Sequence, residues 1–126
     1  VLPGGEVIGV DVQQGMIERL RQRAATVGNL TVQLGNAESL PFATASFDLV
    51  YLAMVLGEIP ARQRALAECF RVLRPGGRLS ITEMAADPHF QSRATVIRLA
   101  TAEGFEQPAI VGRPYSFTAN FTKPGN

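Results

Sequence analysis

The stretch "ARQRALAECFRVLRPGGRLSITEM", residues 61–84, decides the fold. Leu66, Phe70 and Leu73 recur at helical spacing, which predicts a helix over residues 61–73 with those side chains inward. Arg71 and Arg74 sit near its negative end, and Pro75-Gly76-Gly77 stops it. "RLSITEM" then reads as a strand.

Outward from that unit the same alternation continues. "FDLVYLAM" at residues 47–54 is a strand before the helix. Farther upstream, "EVIGVD" at residues 6–11 follows Pro3-Gly4-Gly5 and is rich in β-branched residues, as a buried parallel strand is. Residues 13–27 place Ile17, Leu20, Ala24 and Val27 on one helical face, with Gly28-Asn29 as a stop, and residues 30–34 form the next short strand. "GNAESLPFATAS" at residues 35–46 is a loop by composition.

Downstream, Asp87-Pro88 is a turn, residues 90–102 are a helix and Gly104 is its stop. Residues 107–111 and 115–122 read as two strands joined across Gly112-Arg113-Pro114, a link too short for a parallel crossover. Tyr115, Phe117, Ala119 and Phe121 alternate with Ser116, Thr118, Asn120 and Thr122, so that strand is antiparallel. The expected architecture is one α/β domain over residues 1–126, a mainly parallel sheet with an antiparallel C-terminal strand.

Composition narrows the function. The 126 residues carry eleven Arg and one Lys against eleven acids, a net charge of +1 without the basic stripe that grips phosphates, so no nucleic-acid partner is expected. One cysteine, Cys69, forms no internal disulfide, and no membrane-length apolar run or signal core appears, so no membrane partner is expected either and the compartment expected is cytoplasmic.

In open α/β sheets ligands bind beyond the carboxyl ends of the strands. Asp11 ends the first strand, where a carboxylate can accept from both hydroxyls of a ribose, and Val12 beside it can lie against a purine. After the second strand, the amide oxygen of Asn36 can accept from an exocyclic amine, and a backbone N–H near Ala37 can donate to a ring nitrogen. Residues 52–58 follow the third strand and Glu83 ends the fourth. Together these describe a nucleoside pocket.

The ordered stretches "VIGVDVQQGMIERLRQRA", "GNAESLPFATASFDLVYLAMVL", "RALAECFRVLRPGGRLSITE" and "AEGFEQPAIVGRPYSFTANFTKP" resemble successive motifs of the class I S-adenosylmethionine-dependent methyltransferases, especially the ubiquinone and menaquinone C-methyltransferase group. The resemblance implies a Rossmann-like sheet with a reversed last strand, S-adenosyl-L-methionine as cofactor, and transfer of a methyl group to a small-molecule acceptor. It also implies the cofactor ribose on Asp11, adenine near Val12, Met16, Asn36 and Ala37, and further contacts near Leu52 and Ala53.

In that family the strand resembling residues 7–11 is the second. A first strand and a Gly-rich loop precede it, and neither is seen here, so the resemblance implies an N-terminally truncated fold that keeps the adenosine half of the site. Apolar edges left without that strand are expected to drive self-association to a dimer. Two other departures concern single residues. Asn36 stands where an acid is common, and Gly57-Glu58 stands where Glu-His is frequent, which removes an acid–base pair.

Several residues have plainer readings. Asp48 fixes the start of its strand, His89 is exposed in a Pro-containing turn, Cys69 is a small core residue, and Arg19, Arg21 and Arg23 form a solvated helix face. No catalytic base and no metal cluster stand out. Transfer from a sulfonium asks the protein mainly for in-line positioning in a site with little water. Two rivals are a dinucleotide-dependent oxidoreductase, whose glycine fingerprint is not seen, and an inactive Rossmann-like module that only binds or dimerises.

Overall fold

The computed structural model describes residues 7–11, 22 and 30–125. Gln22 is helical and exposed. The rest of the helix expected over residues 13–27, with Val12, Met16, Arg19, Arg21 and Arg23, lies outside the described residues.

The chain divides into two compact units, Val1–Pro41 and Phe42–Asn126. The first holds β1 (Val7–Asp11) and β2 (Leu30–Leu34), paired in parallel from Val7 opposite Leu30 to Asp11 opposite Leu34. The second holds β3 (Phe47–Ala53), α1 (Arg62–Val72), β4 (Leu73–Met84), α2 (Arg93–Ala102), β5 (Glu106–Arg113) and β6 (Ser116–Thr122). Its sheet runs in the order β3-β4-β6-β5, with β3 parallel to β4 and β6 antiparallel to both its neighbours. β6 alone is therefore reversed, as its alternating pattern predicts, although the single sheet expected is present as a pair and a quartet.

Burial follows the two-residue period of the strands. Leu79 and Ile81 of β4 and Phe117, Ala119 and Phe121 of β6 join Leu66 and Cys69 of α1, Val96 and Leu99 of α2, and Phe105 in one core. Phe105 stacks edge-on with Phe70 at 5.1 Å between ring centres. Burial pushes the Cys69 thiol up to about 12, so it stays a neutral packing group, as expected.

The end of α1 shows why the helix stops. Ala45 N–H donates to Arg71 O and Ser46 N–H to Val72 O, while Lys123 Nζ donates to Phe70 O and Leu73 O. The carbonyls of the last three helical residues, and that of Leu73 just after them, thus find partners outside the helix. Arg74 is not among these donors; it pairs with Asp48 at 2.7 Å, and Arg71 holds Glu68 and the carbonyl of Phe42.

Three boundaries differ from the sequence reading. Leu73 opens β4 rather than closing the helix, because it pairs with Phe47 and because the Gly76 and Lys123 amides lock the Pro-Gly-Gly stretch against the end of β6. Residues 90–92 stay outside α2: Ser92 is the N-cap, accepting from Thr95 N–H, and the Gln91 amide is held by Glu83. Tyr115 lies exposed in the turn between β5 and β6 instead of on the buried face.

Candidate functional site

In the first unit, the register puts Asp11 level with Leu34, so the chain leaves β1 and β2 at the same edge. Asn36 comes two residues later, in a tight turn closed by Ser39 N–H donating to Asn36 O at 2.9 Å. The Asn36 side-chain oxygen accepts from Glu38 N–H at 2.9 Å. One lone pair of that oxygen therefore shapes the turn, and a second remains for a donor. Ala37 is half-buried at the tip.

In the second unit, the pairing of β3 with β4 ends with Ala53 opposite Thr82 and Met54 N–H donating to Thr82 O, while β4 runs on beside β6 to Met84. Leu52 turns into the core and Ala53 points to the opposite, open face, so the two neighbours expected to contact a cofactor present different surfaces. Met54 leaves the strand with a φ of 56°, a conformation that L side chains adopt rarely. That kink turns the chain into the 3-10 turn Leu56–Glu58.

Glu83 is the unexpected member of this edge. By its place in the sequence it is a strand-end acid, yet it is fully buried. Its Oε1 accepts from Gln91 N–H at 2.8 Å, while Oε2 has no hydrogen-bond partner among the described residues. Burial raises its pKa, the Gln91 amide opposes the rise, nearby Asp87 adds to it and Arg62 again opposes it. The signal for its burial lies in the strand period: Leu79, Ile81 and Glu83 share one face.

Arg62, at the start of α1, also escapes the sequence reading. Its guanidinium donates to Leu56 O at 3.2 Å and Gly57 O at 2.9 Å, fixing the turn after β3. Gly57 is buried, and a Cβ there would lie 1.8 Å from His89 O. The glycine found in place of an acidic residue is therefore a packing requirement. Glu58 beside it and His89 are both exposed.

An open depression of about 290 Å³ lies elsewhere, lined by Arg78, Gln107, Ala109, Asn120, Phe121 and Thr122. Arg78 is at the beginning of the parallel part of β4, so this hollow faces away from the carboxyl edge. Among the described residues no helix is long and apolar enough to cross a membrane.

Comparison with known proteins bears on the family and the fold. The chain is 43% identical over 86 residues to a demethylmenaquinone methyltransferase of Symbiobacterium thermophilum, a match covering 66% of this chain and 34% of that protein. It is 38% identical over 80 residues to a malonyl-[acyl-carrier protein] O-methyltransferase of Methylococcus capsulatus, covering 64% and 29%. The chain thus spans about a third of the length of the curated relatives it matches. Among solved structures, a SAM-dependent methyltransferase from Aquifex aeolicus superposes with a TM-score of 0.86 at 20% identity, over 95% of this chain and 70% of that one. The [4+2]-cyclase SpnF superposes with a TM-score of 0.83 at 16% identity, over 97% and 67%, so the shared Rossmann-like fold does not by itself fix the reaction. Residues 2–81, well over half the chain, match the family described as "Methyltransferase domain", and the chain belongs to that family.

Proposed function

We propose that the chain acts in S-adenosyl-L-methionine-dependent methyl transfer to a small-molecule acceptor. The observation that carries this reading is the in-register end of β1 and β2, which sends Asp11 and the Asn36 turn out at one edge. The hydrogen-bond-accepting groups fit an adenosine: a carboxylate for a diol, and an amide oxygen with one lone pair left for an exocyclic amine. When bound, the cofactor supplies a sulfonium-activated methyl group. Within the first unit Asp11 is the proposed ribose ligand and Asn36 and Ala37 the proposed contacts to the polar edge of adenine; Val12 and Met16, the other proposed adenine contacts, lie outside the described residues, and in the second unit Leu52 and Ala53 are proposed cofactor or acceptor contacts.

The named relatives include a quinone-type and a malonyl-carrier methyltransferase, which supports a small acceptor and leaves carbon and oxygen both open as the methylated atom. The single cysteine supports a cytoplasmic setting. We further propose self-association to a dimer, because the outer edge of the seven-residue strand β3 pairs with no strand among the described residues. Sedimentation as a well-folded monomer at micromolar concentration removes that part.

Calorimetric titration with S-adenosylhomocysteine tests the main reading. Micromolar binding is expected, and Asp11→Ala is expected to weaken it by about ten-fold or more, the loss of one or two hydrogen bonds to a charged group. A folded chain that shows no binding overturns the reading in favour of a module that only self-associates.

A further inference from the structure

The two loops at the carboxyl edge of β3 and β4 are joined by a ring of contacts. Glu83 Oε1 accepts from the Gln91 backbone N–H. The Gln91 side chain donates from Nε2 to His89 O at 3.0 Å and to Phe90 O at 3.2 Å. His89 O in turn lies against the bare Cα of Gly57, where a Cβ would not fit. Gly57 O accepts from Arg62 Nη2, and the charge of Arg62 acts back on Glu83.

Each link is local, yet together they connect a buried carboxyl group with two loops that α1 and β4 separate along the chain. Within the loop after β4, Asp87 N–H donates to Met84 O, His89 N–H to Asp87 Oδ1 and Phe90 N–H to Asp87 O, so the segment is a compact body. The Glu83–Gln91 bond ties that body to the interior of the sheet.

We propose that Glu83 is a positioning residue: through Gln91 and His89 it sets the turn at Leu56–Glu58, so that both carboxyl-edge loops move as one unit. The placement of the acceptor beside these loops rests on the methyltransferase reading; the coupling between them does not. Glu83 itself is sealed from solvent. The charged groups that act on it are Arg62 from α1 and Asp87 from its own loop.

Native-state hydrogen exchange on the full chain, followed by NMR across pH 4 to 9, tests the ring. Glu83→Ala is expected to speed exchange about ten-fold at Gln91, His89 and Phe90, and also at Glu58 and Ile59 on the other loop; Gln91→Ala keeps the backbone N–H that Glu83 holds but loses the side-chain bonds to His89 O and Phe90 O, so it is expected to speed exchange at His89, Phe90, Glu58 and Ile59. Amides of Leu79, Ile81 and Ala119 in the sheet are expected to keep their wild-type rates. Glu83→Gln keeps an acceptor for the Gln91 amide, so it should preserve protection while abolishing its dependence on pH. A purely structural role would not produce that profile.

If either substitution affects only the loop that follows β4, the loops are independent and the proposal fails. Should Glu83→Ala loosen the whole sheet, the milder Gln91→Ala decides, and uniform loosening in both variants also overturns it. None of these measurements needs cofactor or acceptor, so failed nucleoside binding and a broken ring remain separate results.

Discussion

The two faces of the four-stranded sheet are built from the same strands and differ in nearly every physical respect. Leu79, Ile81, Phe117, Ala119 and Phe121 turn to the helices and disappear from solvent. On the other face, one residue along each time, Ser80, Thr82, Thr118 and Asn120 remain half-buried among exposed Leu49, Tyr51, Met84 and Val111. That face is laced by hydroxyl contacts: Tyr51 to Thr82 at 2.9 Å, Thr82 to Thr118 at 2.8 Å, and Ser80 to Asn120. The inner face stabilises by area removed from water, whereas the outer one relies on side-chain hydrogen bonds that compete with solvent.

The largest effect expected from this contrast comes from Phe121→Ala. Phe121 is buried beside Phe105, with ring centres 6.3 Å apart, and the helices cannot collapse fully into the space left. A loss of about 3–5 kcal/mol in urea unfolding is expected. A loss below about 1 kcal/mol would mean the inner face is not close-packed.

Glu83 comes next, as the one buried acidic or basic residue among the described residues. Its folded pKa lies above the unfolded one, so its contribution is fully favourable below the unfolded value near 4.3 and is lost as pH rises through the folded value. Relative to Glu83→Gln, the wild type should therefore lose stability as pH rises from 4 to 8. Thermal melts of both proteins across that range measure it, and parallel curves would show that the carboxyl group finds a partner for its second oxygen.

Ser92→Ala should cost about 1 kcal/mol, since it removes the side-chain oxygen that caps α2 at Thr95 N–H. This cap is visible in the sequence, yet periodicity starts the helix at residue 90, three residues before Arg93. Phe90 has the right polarity for a helical face, so periodicity alone includes it. What excludes residues 90–92 is a long-range bond from Glu83, which no local pattern displays. The reversal of β6 was legible for the opposite reason, because strict alternation of Phe117, Ala119 and Phe121 with polar residues is a local signature of its pairing.

The candidate site divides along the same line. Strand ends are readable, so Asp11 and Asn36 fall where the alternation of elements puts them. Contacts that join distant loops are not: the Arg62 carbonyl bonds and the Gly57–His89 approach link residues whose spacing carries no motif. Leu52 and Ala53 show a further limit, since adjacent strand residues necessarily face opposite ways and a site that names both must use the backbone of one.

The smallest effect belongs to the outer face, and it is the sharpest test of the contrast. Thr82→Val keeps the branched shape that suits a strand but removes the hydroxyl shared by Tyr51 and Thr118. On a face open to water both former partners rehydrate, so the cost should stay near 0.5 kcal/mol and be independent of protein concentration. A cost above about 1.5 kcal/mol that grows with concentration would instead mean that a second copy covers this face in solution. In that event Leu49 and Val111, at 55% and 66% exposure in the single chain, would be interface residues, and the two faces would differ in what they bury against rather than in whether they are buried.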